Sequence, residues 1–390
     1  MFAKKKSVFL FIIITLMALA VRYIGRDIIS ADMIIAFLPW FKTMKECGGL
    51  ASLSSNVGDY SLLYQTMVAL LTYIDADPVY LYKTVSVIFD FLIAVSIAFF
   101  LCNCGTETVF KGQNKEMLFW SAYAAVLFLP TVFMNSAFWG QCDSIYTFFL
   151  LWSIWFLYKE NFPLSFFMLG WALAFKLQPI LLFPLYVYYY FSKKKFSLLN
   201  ILITACTFWF SGIIVYISRW NTFESVGVYS NQVVMFKQMW MNVPSFWILI
   251  GDDYDKLHLF AIGLTFLILG TGLVLVLTGR QHMDSFEQII ALAVFVEWTC
   301  IVFLPAMHER YTYVMDLLLL MLAFINKKNF KFAFIAIGTS CITYCSYLFT
   351  KKELNLPIVI LYIFVWFLYT YSLFSINIHQ SDKPTDNVVI

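Results

Sequence analysis

Long apolar runs separated by short polar stretches recur along this chain from Ser7 to Ile376. A hydrocarbon layer about 30 Å thick is crossed by about 20 apolar helical residues, so each run reads as a transmembrane helix. The predicted segments are Ser7–Ile24, Val79–Leu101, Leu118–Met134, Ser144–Tyr158, Pro163–Phe175, Pro179–Phe191, Ser197–Ile217, Leu257–Leu277, Glu287–Leu304, Thr312–Ile325, Phe332–Phe349 and Leu356–Ile376. These make about twelve segments, the pair around Lys176 being short. The fold class is therefore all-α, a polytopic membrane protein forming one transmembrane domain over residues 1–378, with a polar, disordered tail over 379–390.

Two long loops interrupt the pattern, at residues 25–78 and 218–256. In the first, Ile34, Phe37, Leu38, Phe41 and Met44 recur at helical spacing, with Lys42, Lys45 and Glu46 on the other face. Gly48-Gly49 then supplies a stop. This segment is expected to lie as a helix in the membrane interface. The second loop carries Trp220, Trp240 and Trp247, an aromatic type that settles at headgroup level. No internal repeat is visible.

Composition agrees with a lipid solvent. The 390 residues are 62% hydrophobic and 13% charged, about half the charged fraction of a soluble domain. A net charge of +3 is too small to point to nucleic acid. The eight cysteines are scattered, with neither a disulfide framework nor zinc spacing. Placement of the cations is more informative, because Lys and Arg accumulate in cytoplasmic loops. The clusters are Lys4–Lys6, Lys193–Lys195 and Lys327, Lys328 with Lys331; Lys111, Lys115 and Arg280 are weaker members. A count of segments starting from the cytoplasm puts all of them inside. It also puts Cys102, Cys104 and the tail inside and both long loops outside. Lys351 and Lys352 are the exception, partly offset by Glu353. The first apolar run follows Lys4–Lys6 and lacks a small-residue cleavage site, so it reads as a retained signal anchor.

With this topology five polar clusters share the outer face. They are Ser30-Ala31-Asp32, Gly58-Asp59-Tyr60, Trp139-Gly140-Gln141-Cys142-Asp143, Lys176-Leu177-Gln178-Pro179 and His308-Glu309-Arg310-Tyr311. Each has a plain reading alone. Asp59 could be merely solvated, Trp139 an interface anchor and Lys176 a snorkelling cation. His308-Glu309-Arg310 could tie two helices together. Asp90, Glu297 and Asp316 fall within spans and read as buried partners of other helices. Convergence of five clusters on one side is what favours a site. Their chemistry matches glycosyl transfer from a lipid-linked sugar phosphate. Arg and Lys stabilise a departing phosphate, a carboxylate accepts the acceptor's proton, and aromatic rings stack on sugars. No phosphate-cradling Gly-rich loop or dinucleotide fingerprint is present, which argues against a nucleotide-sugar donor.

The residues that carry these clusters also resemble a known family. The matching stretches are Asp32 with Leu38-Pro39-Trp40, Gly48-Gly49, Asp59-Tyr60 with Tyr64, and Lys83 through Asp90-Phe91. Further on come Trp139-Gly140-Gln141 with Asp143, Lys176-Leu177-Gln178-Pro179 with Pro184, and His308-Glu309-Arg310-Tyr311. Over about Arg22 to Leu320 the chain is similar to bacterial mannosyltransferase-like proteins. These are related to the enzyme that adds the second mannose of glycosylphosphatidylinositol anchors, and they belong to the GT-C glycosyltransferases. One departure is that Asp59-Tyr60 is followed by Ser61-Leu62-Leu63 where the family has prolines.

The resemblance implies a polyprenyl-phosphate donor used on the outer leaflet and a catalytic carboxylate in the first outer loop, here Asp32. Lys176, His308 and Arg310 are then expected to hold the donor phosphate. Asp59, Tyr60, Trp139, Gln141, Asp143, Gln178, Glu309 and Tyr311 are expected to shape the sugar and acceptor pocket. No metal is required by this set, although neighbouring carboxylates could hold a divalent cation. The expected activity is inverting transfer of a hexose to a cell-envelope glycan or glycolipid, in a multi-pass cell-membrane protein whose partners are these substrates and membrane lipids. The rival readings are a flippase of lipid-linked sugars, which predicts repeated halves and polar groups at the midplane, and an envelope polysaccharide polymerase.

Overall fold

The computed structural model describes residues 2–105, 115–350 and 354–375. Lys111, the Lys351, Lys352 and Glu353 group, the tail from His379 and the side chains of Lys4–Lys6 lie outside that description. Every predicted segment falls on a helix. The only strands among the described residues are Trp240–Met241 and Met307–His308, paired in parallel.

By length and composition alone, fewer helices than the twelve predicted segments qualify as spans. Among the described residues six helices are long and apolar enough to cross a membrane: Ser7–Gly25, Pro78–Asn103, Tyr254–Leu277, Phe286–Phe303, Lys327–Thr350 and Leu356–Ser375. Two bent pairs pass the same test together, Lys115–Leu127 with Pro130–Trp139 at 51° and Asn200–Ser211 with Ile213–Arg219 at 52°, which makes up to eight if each pair is one span. At the first bend Pro130 has no N–H to donate and its ring displaces the preceding turn. The remaining predicted segments are shorter helices, Asp143–Tyr158, Phe162–Phe175, Phe183–Lys193 and Tyr313–Ile325. Pro179 and Pro184 explain one of them, for the chain forms a 3-10 turn over Gln178–Leu182 before the helix starts. These are the lengths and compositions of a membrane-embedded helical bundle.

Local signals set several helix starts. Asp77 caps the helix that opens with Pro78, and Ser61 caps Leu62–Leu71. Ser285 and Gln288 form a capping box before Phe286–Phe303. That last helix is the centre of the bundle: 89% of its apolar window is buried, against 17% for Ser7–Gly25 on the periphery. The intramembrane carboxylates of Asp90 and Asp316 pair inside the bundle, Asp90 with Arg22 at 2.8 Å and Asp316 with Ser340 at 2.9 Å. Glu297 is equally buried.

The polar contacts between helix connections form two groups. In one group Lys159 bonds Asn103, Glu160 pairs with Lys195, Lys193 with Asp284, and Asn326 with Glu287. In the other group Ser30 bonds Trp139 and Ser61 bonds Phe175. There Arg219 donates to the carbonyls of Leu53 and Ser55, 2.8 and 2.7 Å away, stapling the second long loop to the first.

The helix expected in the first loop is present with the expected buried face at Phe37, Phe41 and Met44, and only its first turn is differently phased. Met33–Phe37 is a π turn and Leu38–Glu46 an α-helix, ended by Gly48 at φ 85°. Met33, Phe37, Phe41 and Met44 are buried, whereas Ile34 is 60% exposed. The wide π turn puts Met33 rather than Ile34 on the buried face, and 3.6-residue spacing cannot reveal that.

Candidate active site

Asp32 sits where three irregular turns meet. Before it, the buried Lys83 ammonium donates to the carbonyls of Gly25, Arg26 and Ile28 at 2.9, 2.9 and 2.6 Å, closing the end of the first helix. The Ser30 hydroxyl donates to the Trp139 carbonyl at 2.8 Å and accepts from the Met33 amide at 3.2 Å. Asp32 then leads into the π turn Met33–Phe37. A second π turn, Met134–Trp139, ends at Gly140 with φ 81°. A Cβ on Gly140 would stand 2.4 Å from the terminal methyl of the flexible Met33 side chain, and the φ of 81° is one that L side chains rarely adopt, so glycine suits this position. The third π turn, Ser346–Thr350, carries Tyr347. π turns are rare and recur at functional sites, and all three among the described residues contribute to one carboxylate.

Its partners are specific. Oδ2 of Asp32 accepts from the indole of Trp139 at 2.9 Å and from the amide of Gln141, and faces the Arg310 guanidinium at 3.5 Å. Oδ1 accepts from the Tyr347 hydroxyl at 2.7 Å. The Gln141 carbonyl oxygen accepts in turn from Tyr60 at 3.1 Å. A second ion pair lies alongside, Lys176 with Asp143, and Asn135 donates to the other Asp143 oxygen at 2.8 Å. Asp143 begins its helix, so its charge also faces the positive end of the helix dipole. The Lys176 ammonium stands 5.6 Å from the Tyr60 ring and 5.8 Å from that of Tyr146.

These groups border a cavity of about 1090 Å³. Of the residues singled out in the sequence, Asp32, Asp59, Tyr60, Lys176, Gln178, His308, Glu309, Arg310 and Tyr311 line it. Trp139, Gln141 and Asp143 do not. They are fully buried behind the wall, because their polar atoms point at Asp32 and Lys176 rather than into the cavity. Their expected place in the sugar pocket is therefore corrected to a supporting one. Trp139 is no interface anchor either: its ring stacks on Tyr347 at 4.2 Å.

Sequence reasoning missed other lining residues, among them Gln232, Gln238, Trp240, Asn242 and Tyr347. Gln232 bonds the Asp59 carbonyl and so closes one side of the cavity. The strand pairing of Trp240–Met241 with Met307–His308 holds the second loop across another side. None of these belongs to a polar cluster, so composition offered no signal for them. The apolar part of the lining comes from Leu177, Ile180, Leu181, Ile248, Ile262 and Leu304.

Burial shapes the titration of the groups outside the spans. It raises the Asp59 carboxyl above its ordinary value and pushes Glu309 up to about 7. Burial, with Arg310 and Lys176 beside it, holds His308 well below the usual histidine range, so its ring is neutral at pH 7. His308 therefore offers a hydrogen-bonding nitrogen rather than a charge. Its Nε2 and the Glu309 Oε1 have no partner among the described residues. No group of three or more His, Cys, Asp or Glu side chains among the described residues is arranged to hold a metal ion.

Compared with known proteins, the chain matches no family model and no curated sequence.

Proposed function

We propose that this protein is an integral-membrane glycosyltransferase that moves a hexose from a polyprenyl-phosphate donor to a cell-envelope glycan or glycolipid, with inversion. The observation that carries this reading is one multiply held carboxylate, Asp32, on a cavity wall beside the cations Arg310 and Lys176. The acceptor hydroxyl gives its proton to Asp32, and the electron pair of the O–H bond forms the new bond to the anomeric carbon. The bond from that carbon to the phosphate oxygen breaks, and its pair leaves on polyprenyl phosphate. A general base contributes roughly 10²–10⁴-fold to such a rate. Arg310, Lys176 and the neutral His308 hold the phosphate, whose charge rises as the bond breaks. Asp59, Tyr60, Gln178, Glu309 and Tyr311 face the sugar and acceptor, while Trp139, Gln141 and Asp143 keep Asp32 and Lys176 in place.

In this reading the short helices complete about twelve crossings, and the cavity opens on the extracytoplasmic side. The cation-rich end of the bundle, with Lys159, Lys193–Lys195, Arg280, Lys327 and Lys328, then faces the cytoplasm.

The test uses purified full-length protein, radiolabelled mannose, glucose or galactose on undecaprenyl phosphate, and acceptor membranes from cells that lack the protein. Transfer from at least one donor is expected, falling roughly 10²–10⁴-fold in Asp32→Asn. Movement of the donor across vesicles without bond formation would instead support a flippase. Activity in Asp32→Asn within a few-fold of wild type would remove the base assignment.

A further inference from the structure

The two oxygens of Asp32 are chemically unequal. Oδ2 faces three donors, on Trp139, Gln141 and Arg310, so both of its lone pairs are taken. Oδ1 accepts a single hydrogen bond among the described residues, from Tyr347 at 2.7 Å. The side chain is 26% exposed, on the cavity. Bonds to Oδ2 alone anchor one oxygen but leave the carboxylate plane loosely set, because the terminal torsion of Asp is broad. A directional bond to Oδ1 is what fixes that plane.

Tyr347 is built to supply it. Its ring lies nearly parallel to Trp139, at 4.2 Å and 18°, and Trp139 packs edge-on against Tyr344 at 5.3 Å. The π turn over Ser346–Thr350 places this hydroxyl 315 residues away from Asp32 in sequence. That is beyond the stretch over which the chain resembles the mannosyltransferase-like family.

We infer that Tyr347 is the positioning residue of the site, orienting the Asp32 carboxylate so that Oδ1, with one lone pair vacant, is the oxygen that receives the acceptor's proton. The inference rests on the reading of Asp32 as the base. Tyr347 takes no proton from the acceptor; it acts through its bond to Oδ1, which sets the angle of the carboxylate. Misplacement of a catalytic group by about 1 Å costs roughly 10²-fold in rate.

The decisive variant is Tyr347→Phe, which keeps the ring and its stack on Trp139 and removes only the hydroxyl. In the transfer assay kcat should fall roughly 10- to 100-fold, with the KM for donor and the melting temperature unchanged. The double variant Asp32→Asn/Tyr347→Phe should be no slower than Asp32→Asn alone, since a positioning residue has nothing left to position. A merely structural tyrosine would lower the melting temperature and leave kcat per folded molecule intact. Wild-type kcat in Tyr347→Phe, or an additive loss in the double variant, overturns this inference alone. An active Asp32→Asn, or no transfer by the wild type from any of the three donors, overturns the reading beneath it.

Discussion

The Arg310 guanidinium stands 3.5 Å from Asp32 Oδ2 and 6.0 Å from the centre of the Trp139 ring, held between a carboxylate and an aromatic face. Its Nε has no partner among the described residues. The side chain is thus only partly satisfied by the protein, and the residue lines the cavity. A planar fork can hold Asp32 and a phosphate oxygen together, which an ammonium cannot do with the same geometry.

Arg310→Lys should therefore raise the KM for donor although charge is kept. A charge-assisted hydrogen bond contributes roughly 1.5–3 kcal/mol, equivalent to a shift of about tenfold or more. Transfer at rising donor concentration measures it, with the melting temperature read alongside. A destabilised variant with unchanged donor dependence would return Arg310 to architecture.

The Lys176–Asp143 pair makes a different prediction, because both side chains are buried and Asp143 is wholly so. Removing one partner strands a charge, at a cost of about 3–5 kcal/mol. Asp143→Leu alone should lower the melting temperature strongly. Lys176→Met combined with Asp143→Leu should recover much of that loss, because an apolar pair of similar volume can replace a buried ion pair. Activity should stay lost in the double variant, since the phosphate-facing ammonium is gone. A double variant that is stable and active would end the donor-binding role of Lys176.

What could be read in the sequence follows from what each signal encodes. Apolar runs report burial in lipid or core, so the positions of the twelve predicted segments were legible, whereas the helices Leu62–Leu71 and Glu224–Met235 inside the two long loops were not. Run length does not report where a helix breaks, and so Pro130 and Gly212 divide segments that read as continuous, while a 3-10 turn takes up the start of the segment that begins at Pro179. Polar clusters report proximity to a site: Asp32, Lys176 and Arg310 meet on one cavity. Whether a cluster faces the cavity or stands behind it depends on backbone geometry. Trp139, Gln141 and Asp143 were misplaced by one layer for that reason. Tyr347 left no trace, because a tyrosine among 23 gains meaning only from the π turn that aims it.

Glu309 gives a pH dependence with a definite sign. Burial pushes its carboxyl up to about 7 from an ordinary 4.5. Between those values the folded protein holds a proton that the unfolded chain has released, so stability falls as pH rises through that window. The acid's contribution is fully present below about 4.5 and is lost by the time pH passes about 7. The gap of about 2.5 units corresponds to on the order of 3 kcal/mol. Glu309→Gln, neutral throughout, should gain melting temperature relative to wild type on going from pH 5 to pH 8. A difference between the two that stays constant with pH would mean that Glu309 is ionised throughout.

Orientation in the membrane is testable at the two ends of the bundle. Ser54, Asp75 and Lys256 are exposed at the end that bears the cavity, whereas Lys194 and Lys328 are exposed at the opposite, cation-rich end. In a background with the eight native cysteines replaced, Ser54→Cys, Asp75→Cys and Lys256→Cys should react with a membrane-impermeant thiol reagent on intact cells. Lys194→Cys and Lys328→Cys should react only after the membrane is opened. Two features lead to this expectation: basic residues stay cytoplasmic, and the proposed twelve crossings would bring the odd-numbered connections to one end and the even-numbered ones to the other. A mixed pattern, with Asp75 and Lys328 both labelled from outside, would break the alternation and with it the twelve crossings. Labelling of Lys194 and Lys328 alone would invert the protein. The cavity would then face the cytoplasm, where a lipid-linked donor displayed on the outer leaflet could not reach Asp32.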